Sequence, residues 1–260
     1  LSMTTNATLL TKEKIAYLIN SLDEISVSID GDKQTHDMYR KFSDGSGSYK
    51  IVIENIRELL KYQKSFCNFR ARMTIRPETA KLLYENVNYM IDLGFKTIVP
   101  VMDRFIDWTQ EEADCLYTEM IKIYEKFIVN RKDLFIGLVD DITLRRESLC
   151  LGGEITLQIS PNGVIFPCSY VMGQDNFAFG DVQNGVQNEK KEWLKKINNM
   201  PMTESCNFCA CQCFCNGNRC RLLNYATTGD FTIPSAATCL NERLQLKLCI
   251  EYYRSEKRSQ

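Results

Sequence analysis

Six cysteines fall within fifteen residues: Cys206, Cys209, Cys211, Cys213, Cys215 and Cys220. Three more, Cys150, Cys168 and Cys239, flank that run. Thiolates at this density contribute little as packing. They are soft ligands, suited to zinc or to iron–sulfur clusters. A lone Cys-x2-Cys is a weak signal. Set in a nine-cysteine array, in a chain with a single histidine, it points to all-sulfur metal ligation. The alternative is a disulfide framework, which belongs mostly to small secreted domains. A chain of 260 residues, 44% of them hydrophobic, has the material for a core without such staples.

Composition narrows the setting. Charged residues make up 25% and the formal net charge is −1, which gives no electrostatic case for nucleic acid or an anionic membrane as partner. No apolar run reaches the ~18 residues of a membrane span, and no export signal is visible. Twelve cysteines without such a signal imply a reducing, cytoplasmic location.

The elements that must position these cysteines follow from periodicity. Ser2 to Asn6 reads as the end of a strand. Thr11 caps a helix that buries Ile15, Leu18, Ile19 and Leu22. Ile25–Ile29 alternates apolar and small polar residues, a strand stopped at Asp30-Gly31. Residues 32–48 are polar and read as a loop holding His36. Tyr49, Val52, Ile53, Ile56, Leu59 and Leu60 mark an amphipathic helix. Phe69–Ile75 is a third strand. A helix through Leu83, Val87, Met90 and Ile91 ends at Gly94. Lys96–Met102 is a fourth strand, and Thr109 with Glu112 forms a capping box for a helix to about Val129. Strand and helix alternate, which implies parallel pairing in a barrel or an open sheet. Phe135 to Leu144 reads as a short strand and linker. A hairpin with a Pro161-Asn162-Gly163 turn, over Ile155–Ile159 and Val164–Phe166, presents Cys168. Trp193–Met200 is a short helix, the cysteine run is largely irregular, and Thr238–Lys257 is helical. Cys67, Cys115 and Cys249 lie in element patterns and read as buried small hydrophobes.

The cysteine spacing resembles that of the SPASM domain of radical S-adenosylmethionine enzymes. Twelve residues separate Cys150 from Gly163, and Gly163-x4-Cys168 and Cys206-x2-Cys209-x5-Cys215 fit the pattern. The next step, x4 to Cys220, is one residue longer than the family's x3, and Cys239 stands as the last cysteine. In the first half, Thr5-Asn6-Ala7, Ser26–Gly31 with His36-Asp37 and Arg40, Arg72–Ile75, and Val99-Pro100-Val101 with Trp108–Glu112 resemble the family's third to sixth barrel strands. The resemblance implies an α/β fold: a partial (β/α)6 barrel over 1–135, a linker over 136–149 and a cysteine-rich SPASM domain with a C-terminal helix over 150–260. The family's Cys-x3-Cys-x2-Cys, which holds the cluster that cleaves S-adenosylmethionine, is absent from the chain, as is the Gly-Gly-Glu-Pro of the second strand. The expectation is a fragment of a longer enzyme, inactive by itself.

By motif position the resemblance implies two auxiliary [4Fe–4S] clusters, one on Cys150, Cys168 and Cys220, the other on Cys206, Cys209, Cys215 and Cys239. The first has three ligands, so its fourth iron is open or takes Cys211 or Cys213. Ser28 and Arg72 align with contacts to S-adenosylmethionine, and Asn6 is a further candidate. The full-length protein would carry S-adenosylmethionine and a third [4Fe–4S] cluster, with a flavodoxin or ferredoxin as electron donor. Sulfatase-maturing relatives have Cys-Asp where this chain has Cys168-Ser169. The stretch Phe166–Gly173 is closer to maturases of ribosomally made peptides, in which a 5′-deoxyadenosyl radical takes a hydrogen and a thioether often forms. The substrate is thus expected to be a peptide or protein. The other readings are a sulfatase-maturase-like enzyme, a zinc-stabilised interaction module, and a two-cluster electron carrier, against which the barrel-like half argues.

Overall fold

The computed structural model describes residues 1–128, 133–139, 150 and 152–258. The chain divides into two compact units, Leu1–Leu144 with Lys247–Gln260, and Arg145–Leu246.

The first unit is built on a parallel sheet: β1 (Ser2–Thr5), β2 (Glu24–Ser28), β3 (Asn68–Ile75), β4 (Thr97–Met102) and β5 (Phe135–Ile136), in that order across the sheet. Each strand lies beside its neighbour in sequence. That monotonic order is the arrangement of consecutive barrel strands, and it differs from a doubly wound sheet, whose order reverses at a switch point. Helices α1 (Lys12–Ser21), α2 (Lys33–Tyr39), α3 (Tyr49–Leu60), α4 (Leu83–Leu93) and α5 (Gln110–Ile123) fill the connections.

Local chemistry sets the helix ends. The Thr11 hydroxyl accepts from the Lys14 amide, and Thr109 and Glu112 form the reciprocal capping box. Gly94 ends α4 at φ 108°, a left-handed conformation that glycine adopts without penalty. Beyond Ile123 the chain continues as a π-helical turn over Tyr124–Ile128; Val129, the expected helix end, lies outside the described residues, as do 140–149 of the expected linker.

One face of the sheet is buried, and the other is more open, with Ser26 buried, Ser28, Val99 and Val101 half-buried, and Arg72 and Thr74 exposed. Ile25, Val27, Phe69, Ala71, Met73, Ile75 and Ile98 are buried, packed with Ile15, Val52, Ile56, Leu83, Val87, Met90 and Leu116 from the helices. The Phe69 and Phe95 rings stack at 5.3 Å. Fully burying each such side chain stabilises the fold by roughly 1.5–3 kcal/mol. Along β3 the alternation reverses strictly: Arg72 and Thr74 are exposed between buried Ala71, Met73 and Ile75.

The stretch 32–48, expected as a loop, contains α2. The Asp32 carboxylate accepts from the Thr35 amide and caps a seven-residue helix too short for a periodic signal. His36 therefore sits on a helix and is fully buried. Its Nε2 meets the Ser48 hydroxyl at 3.0 Å, and that hydroxyl donates to the Arg40 carbonyl. The histidine is thus the donor, and its Nδ1 has no partner.

The second unit has a small antiparallel sheet, β6 (Gln158–Ile159), β7 (Val164–Phe166), β8 (Gly180–Asp181) and β9 (Gly185–Val186). The β6–β7 turn places Gly163 at φ 84°. Helices α6 (Asn188–Asn198), α7 (Glu204–Asn207), α8 (Asn216–Arg219), α9 (Arg221–Thr228) and α10 (Ala236–Arg258) follow, and the boundary between units falls within α10. Its core is small and aromatic: Phe177 packs against Trp193, Tyr225 and Phe231, over Ile165, Phe166, Val171 and Phe179. Among the described residues, no helix is long and apolar enough to cross a membrane.

Burial holds His36 neutral by lowering its pKa from 6.5 to about 4. As pH falls from 6.5 toward 4 the unfolded chain takes the proton first, so folding stability should drop across that window by about 3 kcal/mol. The chain has one histidine, so its single imidazole NMR signal reads this directly; titration near 6.5 would contradict the burial argument.

Candidate metal centres

All nine cysteines of the array lie in the second unit, and every cysteine of the chain is a free thiol. The core positions the first group. β7 leads through Pro167 to Cys168, which packs against the aromatic cluster. Cys220 immediately precedes α9, and its carbonyl accepts from the Asn224 amide at 3.1 Å. Cys150 approaches over Gly152, where an added Cβ would lie 2.9 Å from the Pro167 carbonyl and 3.4 Å from the Cys150 sulfur. Glycine is what permits that approach.

Cys150, Cys168 and Cys220 are close enough to control one another's ionisation. The Cys220 thiol donates to the Cys150 sulfur, which lowers Cys150 to about 6 and, together with burial, pushes Cys220 far up. The two share a proton, as tightly coupled groups do. Cys168 is raised chiefly by burial, with Cys150 adding to it.

The second group follows from the turns of the run itself. The Cys206 carbonyl accepts from the Cys209 amide and the Cys209 carbonyl from Gln212, at 3.2 and 3.0 Å. Turns repeating every third residue bring Cys206, Cys209 and Gln212 to one side. With Cys211, Cys215 and Cys239 they line a small cavity, completed by Pro234, Glu242 and Arg243. Cys239 comes from the first turn of α10. Burial raises Cys239, and burial with the neighbouring Cys209 raises Cys211 to about 11.

Cys211 thus stands with the second group, hydrogen-bonded to Cys209, and Cys213 is exposed. The spacing alone could not place either. Two further residues carried no sequence signal: Glu242, 3% exposed at the cavity wall, and Arg221, 6% exposed beside Cys206. Cys67, expected to be buried, is exposed, and Cys115 and Cys249 are only partly covered. Cys67 falls just before β3, outside the strand's buried alternation.

Among the described residues, no three His, Cys, Asp or Glu side chains converge as a single metal ion requires. The second group lines a cavity, and in the first group Cys220 donates to Cys150. In a four-iron cluster each cysteine takes a different iron, so the thiolates stand further apart than around one zinc. Sulfur donors of this kind serve either a cluster or a zinc ion.

In the first unit, Ser28 and Arg72 are register partners on the more open face of the sheet, Ser28 half-buried and Arg72 exposed. Asn6 follows β1 and is exposed, its carbonyl oxygen accepting from the Thr8 amide and hydroxyl. Asp30 and Arg40, both in the quoted motif, form a two-pronged ion pair at 2.5 and 2.8 Å, and Asp30 also accepts from the Thr74 amide.

No family model matches the chain. A cysteine-type anaerobic sulfatase-maturating enzyme of Clostridium perfringens is 25% identical over 248 residues. That alignment takes in 85% of this chain and 65% of the relative, so the chain spans less than two thirds of the relative's length. The chain is homologous to the radical S-adenosylmethionine maturating enzymes. The structure of anSMEcpe with bound AdoMet and Kp18Cys peptide superposes with a TM-score of 0.73 at 19% identity, over 100% of this chain and 76% of that one. Streptococcus suis SuiB bound to its precursor peptide SuiA gives 0.55 at 14% identity, over 92% and 58%. The five-stranded parallel sheet is the fold this chain shares with those radical S-adenosylmethionine maturases.

In the metal-free chain, Cys220→Ala removes the donor that lowers Cys150. Cys150 should then return from about 6 toward the ordinary thiol value of 9.0. Alkylation rates of Cys150 against pH, read by peptide mass spectrometry, check this; an unchanged profile would show that the two sulfurs do not share a proton.

Proposed function

We propose that this protein is a radical S-adenosylmethionine maturase of peptide or protein side chains, with residues 150–260 forming a SPASM domain that holds two auxiliary [4Fe–4S] clusters. The observation that carries the reading is the separation of the array into two sulfur groups within one unit. Cys150, Cys168 and Cys220 would hold one cluster. Cys206, Cys209, Cys215 and Cys239 would hold the other, with Cys211 beside them. Residues 1–135 are the partial barrel of this reading, and 136–149 its linker.

When bound, S-adenosylmethionine supplies the hydrogen-abstracting radical chemistry of the family. This chain has no Cys-x3-Cys-x2-Cys, so no step through a cluster that cleaves it is assigned to these residues. Their own work is positioning. Ser28 and Arg72, side by side on the more open sheet face, offer a hydroxyl and a guanidinium to its polar groups. Arg40, locked by Asp30, stiffens the loop after β2. Cys150, Cys168 and Cys220 would supply three thiolates to a cluster there, and a fourth donor, such as a substrate thiolate, would suit thioether formation on a cysteine-containing peptide. The Kp18Cys and SuiA peptides bound by the structural relatives support a peptide substrate. The sulfatase-maturase reading is favoured by the Clostridium perfringens relative and weakened by Ser169, which provides no carboxylate after Cys168.

Anaerobic reconstitution followed by iron and sulfide analysis tests this. The chain should hold about eight of each, and Cys215→Ala about four. Stoichiometric zinc without sulfide would replace the reading with a zinc-stabilised interaction module.

A further inference from the structure

Arg221 is a buried cation that, among the described residues, has no carboxylate partner. It is 6% exposed, and arginine is almost never fully buried unless paired. One terminal nitrogen donates to the Met200 carbonyl at 2.5 Å and the other to the Met202 sulfur. Neither acceptor is charged, and among the described residues no Asp or Glu forms an ion pair with it. An uncompensated guanidinium in the interior is strongly unfavourable. Burial is the main influence on it, and the titratable group that also acts on it is Cys206.

Its place in the chain links the two sulfur groups. Arg221 directly follows Cys220 of the first. Its side chain reaches back to Met200 and Met202, on the segment that turns through Thr203 into Cys206. The Thr203 hydroxyl lies 3.5 Å from the Cys206 sulfur, and the Thr203 carbonyl accepts from the Cys206 amide. The arginine therefore holds the segment that leads to the first cysteine of the second group and brings a positive charge to that segment.

We propose that Arg221 is a positioning residue for the second cluster: its buried guanidinium is a counter-charge, additional to Arg243 at the cavity wall, for the cluster on Cys206, Cys209, Cys215 and Cys239, and it raises that cluster's reduction potential. This rests on the cluster reading above. A four-thiolate [4Fe–4S] centre is negatively charged, and reduction adds a further negative charge. A desolvated cation nearby stabilises the reduced form more than the oxidised one. The same charge completes an ion pair that the protein residues alone leave open.

The test uses the reconstituted chain, with both clusters' EPR signals followed through an anaerobic redox titration. Arg221→Gln should keep iron and sulfide and move the second cluster's midpoint to a more negative value. Arg221→Lys, which keeps the charge, should stay near the parent. A fully loaded Arg221→Gln with an unmoved midpoint overturns the inference, as does a shift confined to the first cluster. If Arg221→Gln does not load the second group, Arg221→Lys decides: loading at a parent-like potential supports the role of charge, and equal failure overturns it. A parent chain without iron and sulfide overturns the cluster reading and this inference together. Clusters in the parent that Arg221→Gln leaves unchanged overturn this inference alone.

Discussion

Crowded, buried thiols resist ionisation, and metal ligation requires them ionised. That conflict governs the second unit. Burial raises Cys168, Cys239 and Cys211, and Cys220 is raised further by giving its hydrogen to Cys150. Cys150 is eased toward thiolate, at its neighbour's expense. A cationic iron core would invert this balance, because a bound cation is the largest local charge and deprotonates the thiols that meet it. On the proposed reading, the free energy of ligation adds to a core that is otherwise one aromatic cluster with four two- or three-residue strands around it.

The first unit obeys a different constraint. Parallel sheets are ordinarily covered on both faces. Here helices cover one face, and the other carries Ser28, Arg72 and Thr74. That face mixes hydroxyls and guanidinium groups with the half-buried Val99 and Val101. The Asp30–Arg40 pair, with the Thr74 amide, ties the β2 end to β3 beside that face.

Periodicity made the large elements legible. Four strands and the helices capped by Thr11, Thr109 and Gly94 could be read because each combines a period with a terminal signal. What escaped was short or locally determined. α2 depends on one Asp32 cap, and β8 and β9 have two residues each and pair around Gly180, where an added Cβ would lie 1.9 Å from the Gly185 carbonyl. α9 was hidden because cysteine density suggested irregular chain. Spacing grouped the cysteines into sets but could not place Cys211, one residue from a turn in either direction. Arg221 and Glu242 were invisible because burial of a charge leaves no trace in sequence.

The alternation along β3 has a further effect, on fidelity. A slip of one residue against β2 or β4 would carry Arg70, Arg72 and Thr74 into the helix-covered side and turn Phe69, Ala71, Met73 and Ile75 out to water. Burying two unpaired guanidinium groups makes that misregistered state far less stable than the native one. The arginines of the open face thus proofread strand register while the chain folds.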